Sequence, residues 1–489
     1  MTDTPQQVTK PTELDILDRS EAGGRAIRGG AMRSIGYFAG LALALVSTPL
    51  LTRHLGVADF GGFVTIGSLV VIVAILADAG LTTVGVREYA VRDAEGRHRL
   101  MRNLVAVRLF VAAIGAAAAV LFAVAAGYDG VLVAGAALGG AGLVFTMAQH
   151  TYVIPLTAEL RLGLATVLDL LRQALTVAGI VALVVAGAGL LAFFVLPIPV
   201  GIAVLAATLF LIRSHRSVRP GADREEWRYL LAETLPAAAA SVLASLFYRV
   251  AIVMMSVIST AVQTGYFSAS FRVIEALVAV PSLVVGSAYP ILARAAETDR
   301  ERLSYGFQRL FDVCVILGAW TALALVVGAE PIIDFIGGAD FEPAVPVLQI
   351  QGPALAATFL VALFGGTLWV VRAKRELVIG NVVGVAAAIA LTGVLVPIAD
   401  AKGAAVAMLC AEALLAAWLG VALLRKRPEL RPAAGVLPKV LAALAAGAAF
   451  GLVPLPDVVA VVLGSAAYFG VLVVLRGIPA EIWHAVTSR

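Results

Sequence analysis

The sequence predicts an all-α polytopic membrane protein of about 14 transmembrane helices, arranged as two pseudo-symmetric six-helix lobes around a central cavity with a further C-terminal helix pair. Composition, uncharged runs and the placement of basic residues each lead there. Of 489 residues, 61% are hydrophobic and 14% charged, against roughly 25% charged in ordinary soluble domains. A wetted surface cannot accommodate that excess, whereas a bilayer accepts it if each span satisfies its own backbone as a helix. The charges are gathered between apolar runs of about 20 residues, the length that crosses a hydrocarbon core. Bilayer lipids are therefore the expected surroundings. No nucleic-acid partner is expected, because the basic residues sit where topology signals belong.

Residues 1–30 are polar, lack an apolar run, and read as a disordered cytoplasmic tail rather than a secretory signal. Helices are expected near 31–51, 60–83, 103–126, 131–154, 164–186 and 190–212, forming an N-lobe over 31–230. A second set near 234–258, 266–290, 308–328, 346–371, 376–397 and 403–424 forms a C-lobe over 231–427. Two more, near 436–453 and 457–475, fall in 428–489, which ends in a short cytoplasmic segment. The stretch Pro197 to Gly201 is expected to kink the sixth helix. Cys314 and Cys410 lie in apolar runs and read as small core residues, not as a disulfide or metal site. Gly139, Gly140 and Gly142 lie inside an apolar helix with no strand before them, so close helix packing is expected rather than a dinucleotide loop.

Orientation follows from the cations. With both termini cytoplasmic, the tail, the even-numbered loops and the C-terminus hold 30 of the 36 Lys and Arg residues. The opposite side holds two, Arg53 and Lys402, and four fall within spans: Arg108, Arg172, Arg249 and Arg272. This alternation obeys the positive-inside rule, and a miscounted helix would scramble it. The expected location is the inner (cytoplasmic) membrane.

The chain also repeats itself. Leu55 to Phe63 ends the first hairpin loop and opens the second helix, and some 204 residues later Thr260 to Phe267 does the same before the eighth. In both, a turn glycine precedes an aromatic residue. Helices 5–6 and 11–12 echo each other too, each hairpin closing on an Arg-rich run (213–219 and 425–427). Duplicated halves are typical of secondary transporters, whose site lies between them near the midplane.

The run Pro49-Leu50-Leu51-Thr52-Arg53-His54-Leu55-Gly56 through Phe60-Gly61, with Asp78-Ala79-Gly80-Leu81 and Arg87-Glu88, resembles the N-terminal signature of polysaccharide-biosynthesis flippases. These are the Wzx-like O-antigen and exopolysaccharide exporters of the multidrug/oligosaccharidyl-lipid/polysaccharide (MOP) superfamily. Tyr248-Arg249-Val250, Gly265-Tyr266-Phe267-Ser268, Tyr289-Pro290, and Gly337 to Phe341 followed by Val347-Leu348 continue the resemblance, which spans 31 to about 427. Members often carry an acid shortly after the Tyr-Arg pair; Ala251 stands there in this chain. The resemblance implies a flippase for undecaprenyl-diphosphate-linked glycans, with a polysaccharide polymerase as a downstream partner.

An ionisable residue inside a span usually faces a partner or an aqueous cavity. Counting 1.5 Å per residue puts Arg249, in helix 7, and Arg272, in helix 8, at roughly equal depth, about 22 and 21 Å from the cytoplasmic side. Ser241, Ser245, Arg249 and Ser256 share one face of helix 7; Ser268, Arg272, Glu275, Ser282 and Gly286 share one face of helix 8. Arg249, Arg272, Ser245 and Ser268 are thus the candidate substrate-binding residues, guanidinium being suited to bidentate contact with phosphate. The competing reading is that Arg272 only pairs with Glu275. Glu275, Glu412 and Asp78 are candidates for coupling or gating. Asp169 and Arg172 read as a structural pair, Arg108 and Asp312 as snorkelling residues near helix ends, and Gln149 and His150 as interfacial. No catalytic or metal residue is assigned, and no cofactor is expected beyond H⁺ or Na⁺ as coupling ions.

No Gly-x4-Gly-Lys-Ser/Thr loop is present, which excludes a self-sufficient ATP-driven pump. An enzyme acting on lipid-linked sugars would need a sizeable external loop, and the longest, around Glu330 to Glu342, is short. A flippase is expected, with a cation-coupled multidrug antiporter of the same superfamily or a lipid II flippase as alternatives.

Overall fold

The computed structural model describes residues 22–212, 220–454 and 456–478; the basic run 213–219, most of the predicted tail and the C-terminal segment from 479 lie outside the described residues. All regular structure among the described residues is helical. Among the described residues, twelve helical stretches are long and apolar enough to cross a membrane, and two of these are double. Ala22–Asp78 breaks at Gly56 (φ 72°), and Lys374–Lys426 breaks at Ala399 and Asp400 (φ 47°). Each break is a tight reversal between two crossings, so fourteen crossings result.

We number them α1 (22–55), α2 (57–78, continued by Leu81–Val91), α3 (Ala94–Ala125), α4 (Gly130–Ala158), α5 (Leu162–Val185), and α6 (Leu190–Val195 with Pro197–Leu211). Then come α7 (Arg224–Ile258), α8 (Ala261–Leu277 with Ala279–Thr298), α9 (Arg300–Val327), α10 (Val345–Val370), α11 (374–398), α12 (401–426), α13 (Leu437–Ala448) and α14 (Asp457–Val474). Between α9 and α10 lies a short helix, Ala329–Gly337.

The ends have local causes. Asp93, Asp129, Asp223, Thr260 and Asp299 cap α3, α4, α7, α8 and α9 by accepting first-turn backbone N–H groups. Gly127 and Gly187, at φ 74° and 64°, close α3 and α5. Pro197 has no N–H to continue the ladder, and α6 divides there as expected. Several helices outrun the apolar stretch that marks them: α1 begins at Ala22, so residues 22–30, expected in the tail, are helical. Hydropathy registers only the part of a helix that needs lipid, while Ala and Arg propagate it further.

In the first group, α1 packs on α5, α3 on α4, and α4 on α6; in the second, α9 packs on α10, and the α11–α12 hairpin packs on α7 and α10. The pair α13–α14 sits against α9. The glycine cluster of α4 acts as predicted: a Cβ on Gly139, Gly140 or Gly142 would press on Val70, Ala116 or Pro197. Cys314 is buried, but Cys410 is exposed on the helix surface and does not belong to the core; an apolar run does not reveal which face meets lipid.

The two groups meet where the α1–α2 tip touches α8 and the 329–344 segment. Gly61 and Gly265, equivalent in the two sequence echoes, lie against each other, with a Cβ on Gly61 falling 2.5 Å from the Ala261 carbonyl oxygen. Phe60 and Tyr266 both meet Phe341 edge-on, at 6.0 and 6.5 Å. Thr52 donates to the Ile336 carbonyl, and Arg53 donates to that of Asp334 at 2.8 Å. Towards the basic end, the second half of α8 packs chiefly on α9 and α10 while α1 packs on α5.

Candidate functional site

Arg249 and Arg272, placed at equal depth by counting, converge on one carboxylate. Glu275 accepts from Arg249 through Oε1 and from Arg272 through Oε2, the latter at 3.1 Å. The i,i+3 pairing of Arg272 with Glu275 thus exists, and the same acid also serves Arg249 from the neighbouring helix. Arg249 lies 5.8 Å above the Phe271 ring. Two cations and one anion leave a net positive charge, and each guanidinium has five N–H donors, more than one carboxylate can take up.

Glu275 stands at the junction of two cavities. One, about 230 Å³, lies between α2, α7 and α8, with Ser245, Tyr248, Arg249 and Glu275 in its wall beside Val71 and Ile75. The other, about 710 Å³, lies between α1, α8, α9, the 329–337 helix and α14, and includes Arg272 and Glu275. The remainder of its wall is almost wholly apolar, from Leu45 and Pro49 to Phe335, Val458 and Val462. Ser245 therefore joins the arginines. Ser268 does not line either cavity: it is buried in protein with its hydroxyl unpartnered.

Asp78 and Arg108 pair across helices, which sequence spacing could not show. Arg108 does not snorkel; it is fully buried. Its guanidinium donates to Asp78 at 2.5 Å, Thr82 at 2.6 Å and Thr151 at 3.1 Å. Asp78 precedes and Thr82 follows the break in α2, where Ala79 and Gly80 take φ 31° and 82°. Arg108 thus bridges the two pieces of α2. The second piece is held to the start of α7 by a set of ion pairs: Arg87 with Glu233 at 3.0 Å, Arg92 with Glu226 at 2.6 Å, and Arg99 of α3 with Asp223 at 2.7 Å. Asp169 and Arg172 form the expected pair at 2.7 Å, and His150 sits 3.2 Å from Arg172. Gln149 is buried rather than interfacial.

Glu412, on α12, lies behind Tyr248, which also lines the Arg249 cavity, and its partners come from other helices. Tyr248 of α7 and Thr358 of α10 donate to its Oε1 at 3.1 and 2.6 Å. Sequence reading missed Gln351 of α10, a buried amide facing the same small void. It carries no charge and sits in an apolar run, so only its burial distinguishes it.

A helical bundle with two groups of spans, a charged junction between them and an apolar flank defines a polytopic membrane protein. The chain belongs to the polysaccharide biosynthesis protein family, whose sequence profile matches residues 50–346. No curated protein matches the sequence. Among solved structures, the lipid II flippase MurJ in an inward closed conformation superposes with a TM-score of 0.74 at 12% identity, covering 93% of this chain and 99% of that one. An inward-facing multidrug resistance MATE-family transporter of the MOP superfamily gives 0.56 at 17% identity, over 80% of this chain and 95% of that one. A MOP superfamily transporter from Pyrococcus furiosus gives 0.50 at 15% identity, over 84% and 95%. At these identities the likeness is one of fold.

Proposed function

We propose that the protein is a flippase carrying an undecaprenyl-diphosphate-linked oligosaccharide outward across the cytoplasmic membrane by alternating access. The observation that carries this reading is the junction at Glu275, where a net positive cluster of Arg249, Arg272 and Glu275 is shared between a small cavity and a larger, mostly apolar one. A lipid-linked glycan has both chemistries: an anionic diphosphate and a long polyprenyl tail. The guanidinium fork matches phosphate oxygens bidentately, and the apolar cavity beside α1, α8 and α14 suits the first part of the tail. The lobes, 31–230 and 231–427, rock about this site. The end bearing the basic loops is taken as cytoplasmic; the groups are joined there by ion pairs from the second piece of α2 and from α3 to the start of α7, so admitting substrate from inside requires those pairs to part.

With the interior negative, moving one elementary charge through 100 mV is worth roughly 2.3 kcal/mol, which favours outward movement of an anionic head. Consumption outside by a polysaccharide polymerase would add to that drive. A cation-coupled drug antiporter is disfavoured by the positive junction. A lipid II flippase shares the head chemistry and differs in the glycan.

The test is binding and flipping in proteoliposomes with an undecaprenyl-diphosphate oligosaccharide, and with lipid II in parallel. Arg249→Ala and Arg272→Ala should each abolish export while insertion persists, and Lys at either place should restore it only in part. Full activity of the double Ala variant overturns the arginine anchor, and selective export of lipid II moves the assignment to that substrate.

A further inference from the structure

The second half of the bundle holds a polar site that the arginine junction does not use. Glu412 is 1% exposed, and its Oε2 has no hydrogen-bond partner. Gln351, also 1% exposed, has neither its Nε2 nor its Oε1 paired. Both side chains face one void of about 10 Å³, the room needed for about one water-sized occupant. Buried polar atoms without partners are uncommon, and two such side chains meeting at one void mark a place built to take something up.

The surroundings decide what. From α7 the site receives Tyr248, from α10 Thr358, Ala354 and Leu355, from α8 Phe271 and Ile274, and from α12 Met408. Among the described residues, no cation lines it, and two hydroxyl donors are the only partners of Glu412. An ionised carboxylate so placed would be poorly compensated. A protonated one carries no charge, and its O–H at Oε2 has an acceptor within the same void, the Gln351 carbonyl oxygen.

Tyr248, Phe271 and Ile274 line this void on one side and the cavity of Arg249 and Glu275 on the other. Tyr248 is also the chain neighbour of Arg249. Any movement of Arg249 when an anion competes for it with Glu275 therefore bears on the residue that closes the Glu412 site.

We infer that Glu412 and Gln351 form a proton-binding site, closed off from the substrate cavity by Tyr248 and opened to it when Arg249 engages the anionic head. The proton leaves Oε2 for water in the cavity and returns from water in the opposite facing state; one O–H bond breaks and one re-forms per cycle. The coupling rests on the flippase reading above, whereas the proton site itself does not.

Difference infrared spectroscopy of the full chain in lipid, without substrate, tests the site. A protonated-carboxyl C=O band should be present at neutral pH, lost in Glu412→Gln, and shifted in Gln351→Leu, which removes its acceptor. Adding a lipid diphosphate in weak buffer should release a proton, detected by a pH-sensitive dye. That release should vanish in Glu412→Gln while binding persists. Absence of the band in the wild type, its survival in Glu412→Gln, or its removal by sodium chloride at constant pH would each overturn the proton site. A correct band with no binding of the lipid diphosphate would instead remove the substrate reading and leave the site standing.

Discussion

Gly61 offers a direct way to move the equilibrium between facing states. A Cβ added there would lie 2.5 Å from the Ala261 carbonyl oxygen and 2.7 Å from the Gly265 backbone nitrogen. Restoring ordinary contact, about 3.4 Å, requires α2 and α8 to separate by about 0.9 Å at their closest point. Both obstacles are backbone, so no side chain can rotate away. Overpacking of this kind costs about 1–3 kcal/mol. The cost falls on the arrangement in which the α1–α2 tip is seated on α8, and it is relieved when that end opens. Gly61→Ala should therefore raise the ratio of separated to seated molecules by about 5- to 150-fold. Spin labels at Val185, at the end of α5, and Ile398, at the end of α11, are both exposed and lie on opposite sides of this seam. Cys410, which is exposed, must first be replaced. Double electron–electron resonance should then show a longer distance population in Gly61→Ala. An unchanged distance distribution in folded, monodisperse protein would refute the reasoning, because the strain would then have been absorbed within one state.

Other outcomes follow from the same contacts. Asp78→Asn should lower the thermal midpoint by leaving the buried Arg108 cation with neutral partners, and adding Arg108→Leu should recover much of the loss; a double variant no better than the single would show that the pair is not the cause. Ala44→Trp or Val462→Trp should fill the 710 Å³ cavity and weaken binding of a long-chain lipid diphosphate more than that of a short-chain one, as measured by native mass spectrometry. Backbone N–H groups of Glu226 and Glu225, with Arg99 adding to them, hold the Asp223 carboxyl below its ordinary range. Its capping contribution is thus present above the unfolded-state value and lost only as pH falls through the lower folded-state value. Amide exchange in the first turn of α7 should stay slow through mildly acidic pH and quicken below that range, and Asp223→Ala should abolish the dependence.

The crossings were legible because lipid imposes a length and a polarity that local sequence cannot disguise, and the even-loop arginines fixed their number. Interhelical pairing was a different matter. Spacing identified Glu275 as a partner for Arg272 because both lie on α8, but the bond to Arg249 depends on how α7 and α8 rotate against each other. Arg108 was misread for the same reason: proximity to a helix end suggested a route to water, while the break in α2 brings Asp78 and Thr82 to it inside the protein. Gln351 left no trace, since an uncharged amide in an apolar run looks like tolerated polarity until its burial is known.

The ion pairs between the second piece of α2 and the start of α7 have a consequence for how the molecule can be assembled. Arg87, Arg92 and Arg99 belong to the first half of the chain, and Glu233, Glu226 and Asp223 belong to the second. The second half thus carries at its own beginning an address that the first half can read, independent of the peptide linking them. A gene divided between Ile212 and Pro220 should yield two fragments that find one another when co-expressed, and reversing the charges on one fragment alone should prevent the union until the other is reversed to match.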